Sequence, residues 1–111
     1  MPELDVQGRT IAVSEAGWLE NVNEWDDDIA RAVAAQEGVA LTDEHWDIIR
    51  ATRAFFEEYG VIPEARVFSK LMKEQFGAER STQQYFFSLF PHGLLKQANK
   101  IAGLPRPKGC S

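Results

Sequence analysis

Between residues 23 and 102, stretches with apolar residues at helical spacing alternate with glycine or with proline and glycine, without an internal sequence repeat. Glycine readily adopts the left-handed conformation that ends a helix, and proline cannot continue one. The first stretch carries apolar residues at positions i, i+4, i+7 and i+8, on one helical face: Trp25, Ile29, Ala32 and Val33. The pattern predicts a mainly α, compact domain of five helices joined by short loops.

The predicted helices have recognisable starts and ends. Asn23 is the predicted N-cap of the first helix, which ends at Gly38. Thr42 opens the second, in an incomplete capping box because His45 stands where Glu or Gln is usual. The other three helices run from about residue 64 to 76, from a cap at Ser81 to residue 90, and from residue 94 to about 102.

Ahead of the helices, residues 4–13 (LDVQGRTIAV) predict a small β-hairpin. Short apolar stretches flank Gln7 and Gly8, and glycine suits the positive φ of a tight turn. Trp25, Trp46 and the phenylalanines fall on helical faces, so we expect most of them in the core and a minority exposed for docking.

The last nine residues differ in kind from the rest. They contain two prolines and two glycines, which fix or loosen the backbone and exclude an interior helix or a central strand. We therefore divide the chain into a helical domain with an N-terminal hairpin, residues 1–102, and a flexible C-terminal arm, residues 103–111. The flexibility of the arm is assigned to four residues: Gly103, Pro105, Pro107 and Gly109.

Cys110 is the only cysteine and lies one residue from the end of the chain, so no intramolecular disulfide can form. A structural cysteine belongs in a core, whereas one on an exposed arm is better explained by its reactivity. Arg106 and Lys108 lie within four residues and favour the thiolate, which is the nucleophilic form. We interpret Cys110 as a sulfur that attacks or carries; the alternative is a terminal cysteine without a function.

Other catalytic and metal sites find less support. His45 and His92 are the only histidines, and neither is held beside Cys110, as a cysteine hydrolase would require. We interpret His45 as a helix-surface or capping residue and His92 as a turn residue. The acidic run from Glu24 to Asp28 suits the start of a helix better than a calcium loop, so we predict neither a metal nor an organic cofactor.

Charge is distributed unevenly along the chain. Residues 1–79 hold all seventeen acidic and seven basic residues, a formal charge of −10, whereas residues 80–111 hold five basic residues and no acid. An acidic body repels a long polyanion, so an acidic protein surface is the better partner for the basic tail. A solvated tail without an electrostatic role remains the alternative.

The chain carries no pattern that would direct it to a membrane. No apolar run approaches the roughly 20 residues of a bilayer span, and the N-terminus lacks a signal-peptide pattern. We expect a soluble, cytoplasmic protein, where a thiol stays reduced. Helices two to four also permit a helix-turn-helix regulator that binds nucleic acid, an alternative that the acidic body disfavours.

The C-terminal sequence KQANKIAGLPRP, residues 96–107, followed by a penultimate cysteine, resembles the TusE/DsrC family of sulfur carriers. Supporting pieces are spread over nearly the whole chain: Glu37-Gly38, Leu41-Thr42, His45-Trp46, Gly60 with Pro63, and Leu89-Phe90-Pro91 followed by Gly93. The resemblance implies a small helical domain with an N-terminal hairpin and a flexible arm whose penultimate cysteine, here Cys110, carries a persulfide. Leu94 departs from the proline that is frequent in the family.

The resemblance also separates two branches. The DsrC branch has a second cysteine eleven residues before the penultimate one, and Asn99 occupies that position here. The resemblance to the TusE branch implies a sulfurtransferase that acts as a relay. It would accept sulfur from a TusBCD-type complex and pass it to the tRNA 2-thiouridylase, without a cofactor and without a need for direct tRNA binding. Sulfur transport in oxidative or dissimilatory sulfur metabolism is the alternative.

Overall fold

The computed structural model describes residues 3–105, apart from the side chains of residues 94 and 95. It begins with the predicted hairpin, formed by the antiparallel strands β1 (Glu3–Val6) and β2 (Arg9–Ala12), in which Val6 pairs with Arg9. Gln7 and Gly8 have φ values of 50° and 84°, the pair of positive values typical of a two-residue type I′ turn. One face of the hairpin is buried through Leu4, Val6 and Ile11, so the hairpin prediction is confirmed.

After the hairpin and an isolated β-bridge between Val13 and Leu19, the regular structure of the described residues is helical, and the predicted five-helix fold is confirmed. A 3-10 turn at Val22–Glu24 precedes α1, and a second 3-10 turn at Ala78–Arg80 precedes α4. The five helices are α1 (Asp27–Glu37), α2 (Asp43–Tyr59), α3 (Ala65–Phe76), α4 (Gln83–Leu89) and α5 (Asn99–Ile101). A π-helical turn, Leu94–Ala98, leads directly into α5.

Two predicted N-caps were wrong by a few residues. Asn23 lies in the first 3-10 turn, and the Asp26 carboxylate caps α1 by accepting the Ile29 N–H at 3.0 Å. Thr82 caps α4 by accepting the Tyr85 N–H at 3.0 Å, whereas the Ser81 hydroxyl donates to the carbonyl of Ala78. Asn23 lies inside the first 3-10 turn and Ser81 ends the second one, so in both places a 3-10 turn delays the start of the helix.

His45 is a buried capping residue, so its capping role is confirmed and the helix-surface alternative is wrong. Its Nδ1 accepts the backbone N–H of Thr42 at 3.1 Å and therefore carries no proton. Its Nε2 consequently carries the proton and donates to the carbonyl of Leu89 at 2.9 Å. The imidazole thereby connects the start of α2 to the end of α4, which the capping box alone would not do.

The core lies where the hairpin and the helices converge, and α5 packs against both α1 and α2. Its largest fully buried side chains come from α1 to α4 and the residues that follow: Ile29, Ile48, Ile49, Phe68, Met72, Phe86, Phe90, Ile101 and Leu104. Phe76 and Phe87 are exposed, in agreement with the expectation that a minority of the aromatic residues lies on the surface. No helix in residues 3–105 is long and apolar enough to cross a bilayer.

Candidate functional site at the base of the C-terminal arm

The predicted site divides between described and undescribed residues. Gly103 and Pro105 lie in the described part of the chain, whereas five predicted site residues lie outside it: Arg106, Pro107, Lys108, Gly109 and Cys110. The site that the structure supplies is therefore the attachment of the arm, residues 101–105, which we call the arm base. The roles assigned to Cys110, Arg106 and Lys108 stay predictions.

The arm base ends α5 with a complete Schellman motif. Gly103 has a φ of +70°, its N–H donates to the carbonyl of Lys100 at 3.1 Å, and the Leu104 N–H donates to the carbonyl of Asn99 at 3.0 Å. The Leu104 side chain is fully buried and Pro105 is exposed. The packed part of the described chain therefore extends at least to Leu104, and the boundary of the arm and the flexibility predicted for these positions stay predictions.

Trp25 holds the arm base from one side. Its indole N–H donates to the carbonyl of Ile101 at 2.9 Å, which satisfies one of the last helix carbonyls. The ring also covers Gly103 so closely that a Cβ there would lie 2.4 Å from Trp25 Cδ1. The sequence-based expectation that Trp25 is a core residue is therefore incomplete, because its polar edge has a specific partner next to the arm.

Arg53, from α2, holds the arm base from the other side. Its Nη1 donates to the carbonyl of Ala102 at 3.1 Å, and its Nη2 donates to the carbonyl of Val22 at 2.7 Å. Glu57, one turn later on α2, accepts from Nε at 3.2 Å and orients the guanidinium. The guanidinium lies 4.7 Å from the centre of the Trp25 ring, within cation–π range, and the side chain is only 11% exposed.

A second polar network fixes the helix that leads to the arm base. Lys100 Nζ donates to Glu37 Oε2 at 2.9 Å, and Gln97 Nε2 donates to Glu37 Oε1 at 3.3 Å. The Gln97 side-chain oxygen accepts the His92 N–H, so His92 lies in a turn as predicted. Burial raises the pKa of Glu37, but the hydrogen bonds from Lys100 and Gln97 outweigh it and hold the pKa below its ordinary value.

Asn99 lies in the first turn of α5 and is fully buried. Among the described residues, neither its Nδ2 nor its Oδ1 has a hydrogen-bond partner. A buried amide without a hydrogen-bond partner costs folding free energy, so among the described residues Asn99 is an unfavourable polar group next to the arm base. It is also the position at which the resemblance places the second cysteine of the DsrC branch.

A cleft opens beside the exit of the arm. It has a volume of about 380 Å³, and its wall combines one acidic side chain with apolar and hydroxyl groups: Ser14, Trp18, Leu19, Glu20, Val22 and Pro105. A larger groove of about 490 Å³ runs between α2 and α3, away from the arm. The first cleft adjoins the arm base, since Pro105 forms part of its wall.

The acidic run has a structural role at the start of α1. The Ile29 N–H, with help from the Arg9 guanidinium, holds the pKa of Asp26 below its ordinary value. Asp27 pairs with Arg50 at 3.3 Å, and Asp28 pairs with Arg31 at 3.0 Å. Within residues 3–105, no group of three or more His, Cys, Asp or Glu side chains is arranged to hold a metal ion.

Sequence reasoning did not identify Arg53 as a functional residue. A signal was present, because Arg53 follows the fully buried Ile49 by four residues and therefore lies on the apolar face of α2. A cation on such a face requires buried acceptors. The acceptors are backbone carbonyls, which no sequence pattern reveals, and they come from segments 31 and 49 residues away.

Comparison with known proteins gives consistent matches over almost the whole chain. The family model described as DsrC like protein matches residues 5–111. Sulfurtransferase TusE of Pectobacterium atrosepticum is 42% identical over 107 residues, covering 96% of this chain and 98% of that protein. The sulfurtransferase TusE homolog of Haemophilus influenzae is 40% identical with the same coverage.

Solved structures agree with the fold. The oxidized gamma-subunit of the dissimilatory sulfite reductase (DsrC) from Archaeoglobus fulgidus superposes with a TM-score of 0.90 at 41% identity, covering 99% of this chain and all of that one. DsrC of Allochromatium vinosum gives a TM-score of 0.88 at 43% identity, with 98% of this chain and 97% of that one covered.

Proposed function

The chain belongs to the DsrC-like protein family of TusE/DsrC-type sulfurtransferases, and we propose that it is a cytoplasmic relay in tRNA thiolation. In this proposal Cys110 accepts persulfide sulfur from a TusBCD-type donor complex. The loaded chain then passes the sulfur to the tRNA 2-thiouridylase that modifies the wobble uridine. It acts as a sulfurtransferase on other proteins and needs no direct contact with tRNA.

The observation that carries the proposal is the way the arm leaves the body. Residues 101–104 are buried and the turn is closed by hydrogen bonds, and the exposed Pro105 begins the segment that contains the only cysteine of the sequence. Cys110 follows Pro105 by five residues, which gives a reach of at most about 16–18 Å from that point. A tether of this length would let the thiol enter the active site of a docked partner.

The transfer chemistry follows from the thiol alone. The Cys110 thiolate attacks the outer sulfur of the donor's persulfide, a new S–S bond forms, and the donor cysteine leaves as a thiolate. The product is a persulfide on Cys110. Attack by an acceptor thiolate on the outer sulfur then releases the Cys110 thiolate, so no net electrons are gained or lost. Arg106 and Lys108 favour the thiolate and suit an acidic partner surface.

A second candidate function is sulfur transport in oxidative or dissimilatory sulfur metabolism. A solved relative favours it, because the gamma-subunit of the dissimilatory sulfite reductase from Archaeoglobus fulgidus matches this chain at 41% identity. Asn99 disfavours it, since the DsrC branch is expected to have its second cysteine at that position. One cysteine suffices for a one-sulfur relay but not for an intramolecular disulfide.

Mass spectrometry after incubation with a loaded donor complex tests the proposal. We expect a mass increase of one sulfur atom on the final peptide, reversed by a reductant. Cys110→Ser should abolish it and the neighbouring Ser111→Ala should not. A Cys110→Ser protein that still gains sulfur would remove this residue from the mechanism. In cells, loss of the gene should deplete 2-thiouridine; normal 2-thiouridine levels would instead favour the second candidate.

A further inference from the structure

We propose that Trp25 and Arg53 are positioning residues for sulfur transfer, because together they fix the point from which the arm starts. We call the pair the arm clamp. The inference rests on the proposed function in one respect, namely that Cys110 must reach a partner's sulfur site. It concerns geometry, however, and its first test, a distance measurement, does not require that a particular donor or acceptor is correct.

The clamp holds two consecutive carbonyls immediately before the Schellman turn. Trp25 donates to the carbonyl of Ile101 at 2.9 Å, and Arg53 donates to the carbonyl of Ala102 at 3.1 Å. These are carbonyl groups that a helix end leaves without intrahelical partners. With both satisfied by side chains from elsewhere in the fold, the end of α5 is attached to α2 and to the segment before α1.

The two residues of the clamp also contact each other. The guanidinium of Arg53 stacks over the ring of Trp25 at 4.7 Å, and its Nη2 donates at 2.7 Å to the carbonyl of Val22, three residues before the tryptophan. Arg53 thus holds the segment that carries Trp25 and the arm base at the same time. Neither residue can move without breaking contacts to the other.

Stability alone does not account for a guanidinium at this place. A charge that is only 11% exposed carries a desolvation cost, and a well-packed apolar side chain is often at least as stabilising there. What an apolar side chain cannot supply is a pair of directional donors aimed at backbone carbonyls of two different segments. The arrangement is suited to holding the direction in which the chain leaves the body.

The expected benefit can be estimated from chain statistics. With the clamp closed, the tether from Pro105 to Cys110 has five residues. If the short helix α5 opens, the tether begins near residue 99 and has eleven. Effective concentration falls with about the −3/2 power of tether length, so opening should reduce the concentration of the thiol at a docked partner about threefold.

Distance measurements between two spin labels test the geometry directly. Cys110 is the only cysteine, so one nitroxide attaches there and a second to Ala35→Cys, on the exposed side of α1. Trp25→Phe keeps an aromatic ring but removes the indole N–H. We expect this variant and Arg53→Met to broaden the distance distribution and shift it to longer values. Arg50→Met is the matched control, because Arg50 also stacks on a tryptophan, at 5.1 Å, and pairs with Asp27. Its distribution should stay that of the parent.

Kinetics on the unlabelled proteins separate positioning from thiol chemistry. Loading of Cys110 by inorganic polysulfide should proceed at the parent rate in all variants, whereas transfer from a persulfide-loaded TusBCD complex should slow about threefold in the two clamp variants. Circular dichroism verifies that each variant is folded. If Arg53→Met does not fold, Arg53→Lys is measured instead, since it keeps the positive charge and a single donor nitrogen.

Two outcomes would be adverse, and they are distinguishable. If folded clamp variants gave the same distance distribution as the parent and Arg50→Met, the positioning role would be wrong whatever the function. If the distribution broadened as expected but the parent neither loaded with polysulfide nor accepted sulfur from the complex, the clamp would stand and the proposed function would fall.

Discussion

Gly103 and Trp25 are packed so closely that the chain has no room for a side chain at position 103. A Cβ built there would lie 2.4 Å from Trp25 Cδ1 and 2.8 Å from Trp25 Cγ. Gly103 also has a φ of +70°, which L-residues other than glycine rarely adopt. Two independent constraints, one conformational and one steric, therefore require glycine at position 103, in the turn that ends α5.

Replacing Gly103 by alanine should destabilise the protein more than the same change at Gly60. Both glycines have nearly the same φ, +70° and +73°, so both changes incur the left-handed backbone penalty of roughly 1–2 kcal/mol. Only Gly103→Ala adds a clash, since nothing lies within 4 Å of a Cβ at position 60. We expect an additional 1–3 kcal/mol, roughly the cost of overpacking, by urea denaturation. Equal losses would show that the ring moves away freely.

Asn99 and Gln97 should respond in opposite directions to loss of their amides. Asn99→Cys, measured with a reductant, removes an amide that has no partner among the described residues, and should be neutral or stabilising by about 1 kcal/mol. Gln97→Met removes an amide that donates to Glu37 and accepts from the His92 N–H, and should cost about 1–3 kcal/mol. Both residues are buried and both changes roughly conserve volume. A clear loss of stability in Asn99→Cys would indicate that this amide has a partner after all.

The ion pair between Glu37 and Lys100 should make stability depend on pH. The pKa of Glu37 is lowered in the folded state, so its contribution is complete above the ordinary value of 4.5 and is lost as pH falls through the folded-state pKa. Glu37→Gln should cost about 1–2 kcal/mol at pH 7, between the values for exposed and buried pairs, and much less near pH 3. Denaturant midpoints measured from pH 7 to pH 3 give the comparison.

Glu58→Gln is the control for the pH series, since Glu58 is exposed and forms no ion pair with the residues that the structure describes. Its midpoint should follow that of the parent at every pH. A difference between Glu37→Gln and the parent that stayed constant down to pH 3 would mean that the carboxylate does not contribute through its charge.

His45 should be more important for stability than a helix cap usually is. His45→Ala removes the acceptor of the Thr42 N–H and the donor to the Leu89 carbonyl, and should cost about 2–3 kcal/mol. His45→Gln restores the usual capping-box residue and should recover about half of that loss, measured by thermal or urea unfolding. If His45→Ala and His45→Gln lost the same stability, the whole loss would come from the missing contact to α4.

Helix ends were predictable from the sequence where a single residue determines them. Gly38, Gly60 and Gly103 each end a helix in the left-handed conformation, as their type and position predict. Helix starts were less predictable, because several polar residues compete. Asn23 and Asp26 are both good capping residues. Asp26 is the observed cap, because the backbone is still extended at Trp25 and α1 begins only at Asp27.

The reactive group proposed for the candidate site could be predicted from the sequence, whereas the residues that hold the arm base could not. Cys110 is conspicuous in the sequence because it is unique and terminal. Arg53 and Trp25 act on backbone carbonyls 49 and 76 residues away, and such contacts leave no trace in local periodicity. The π-helical turn before α5 was also not predicted, because over only five residues its apolar pattern cannot be distinguished from that of an α-helix.

The Schellman turn at Gly103 has an evolutionary consequence. Because it closes the last main-chain hydrogen bonds of α5 at Leu104, the end of this helix is capped by described residues alone. We therefore expect substitutions or insertions beyond Pro105 to change the melting temperature little. The sequence of the C-terminal tip could then vary in evolution while the globule is inherited unchanged.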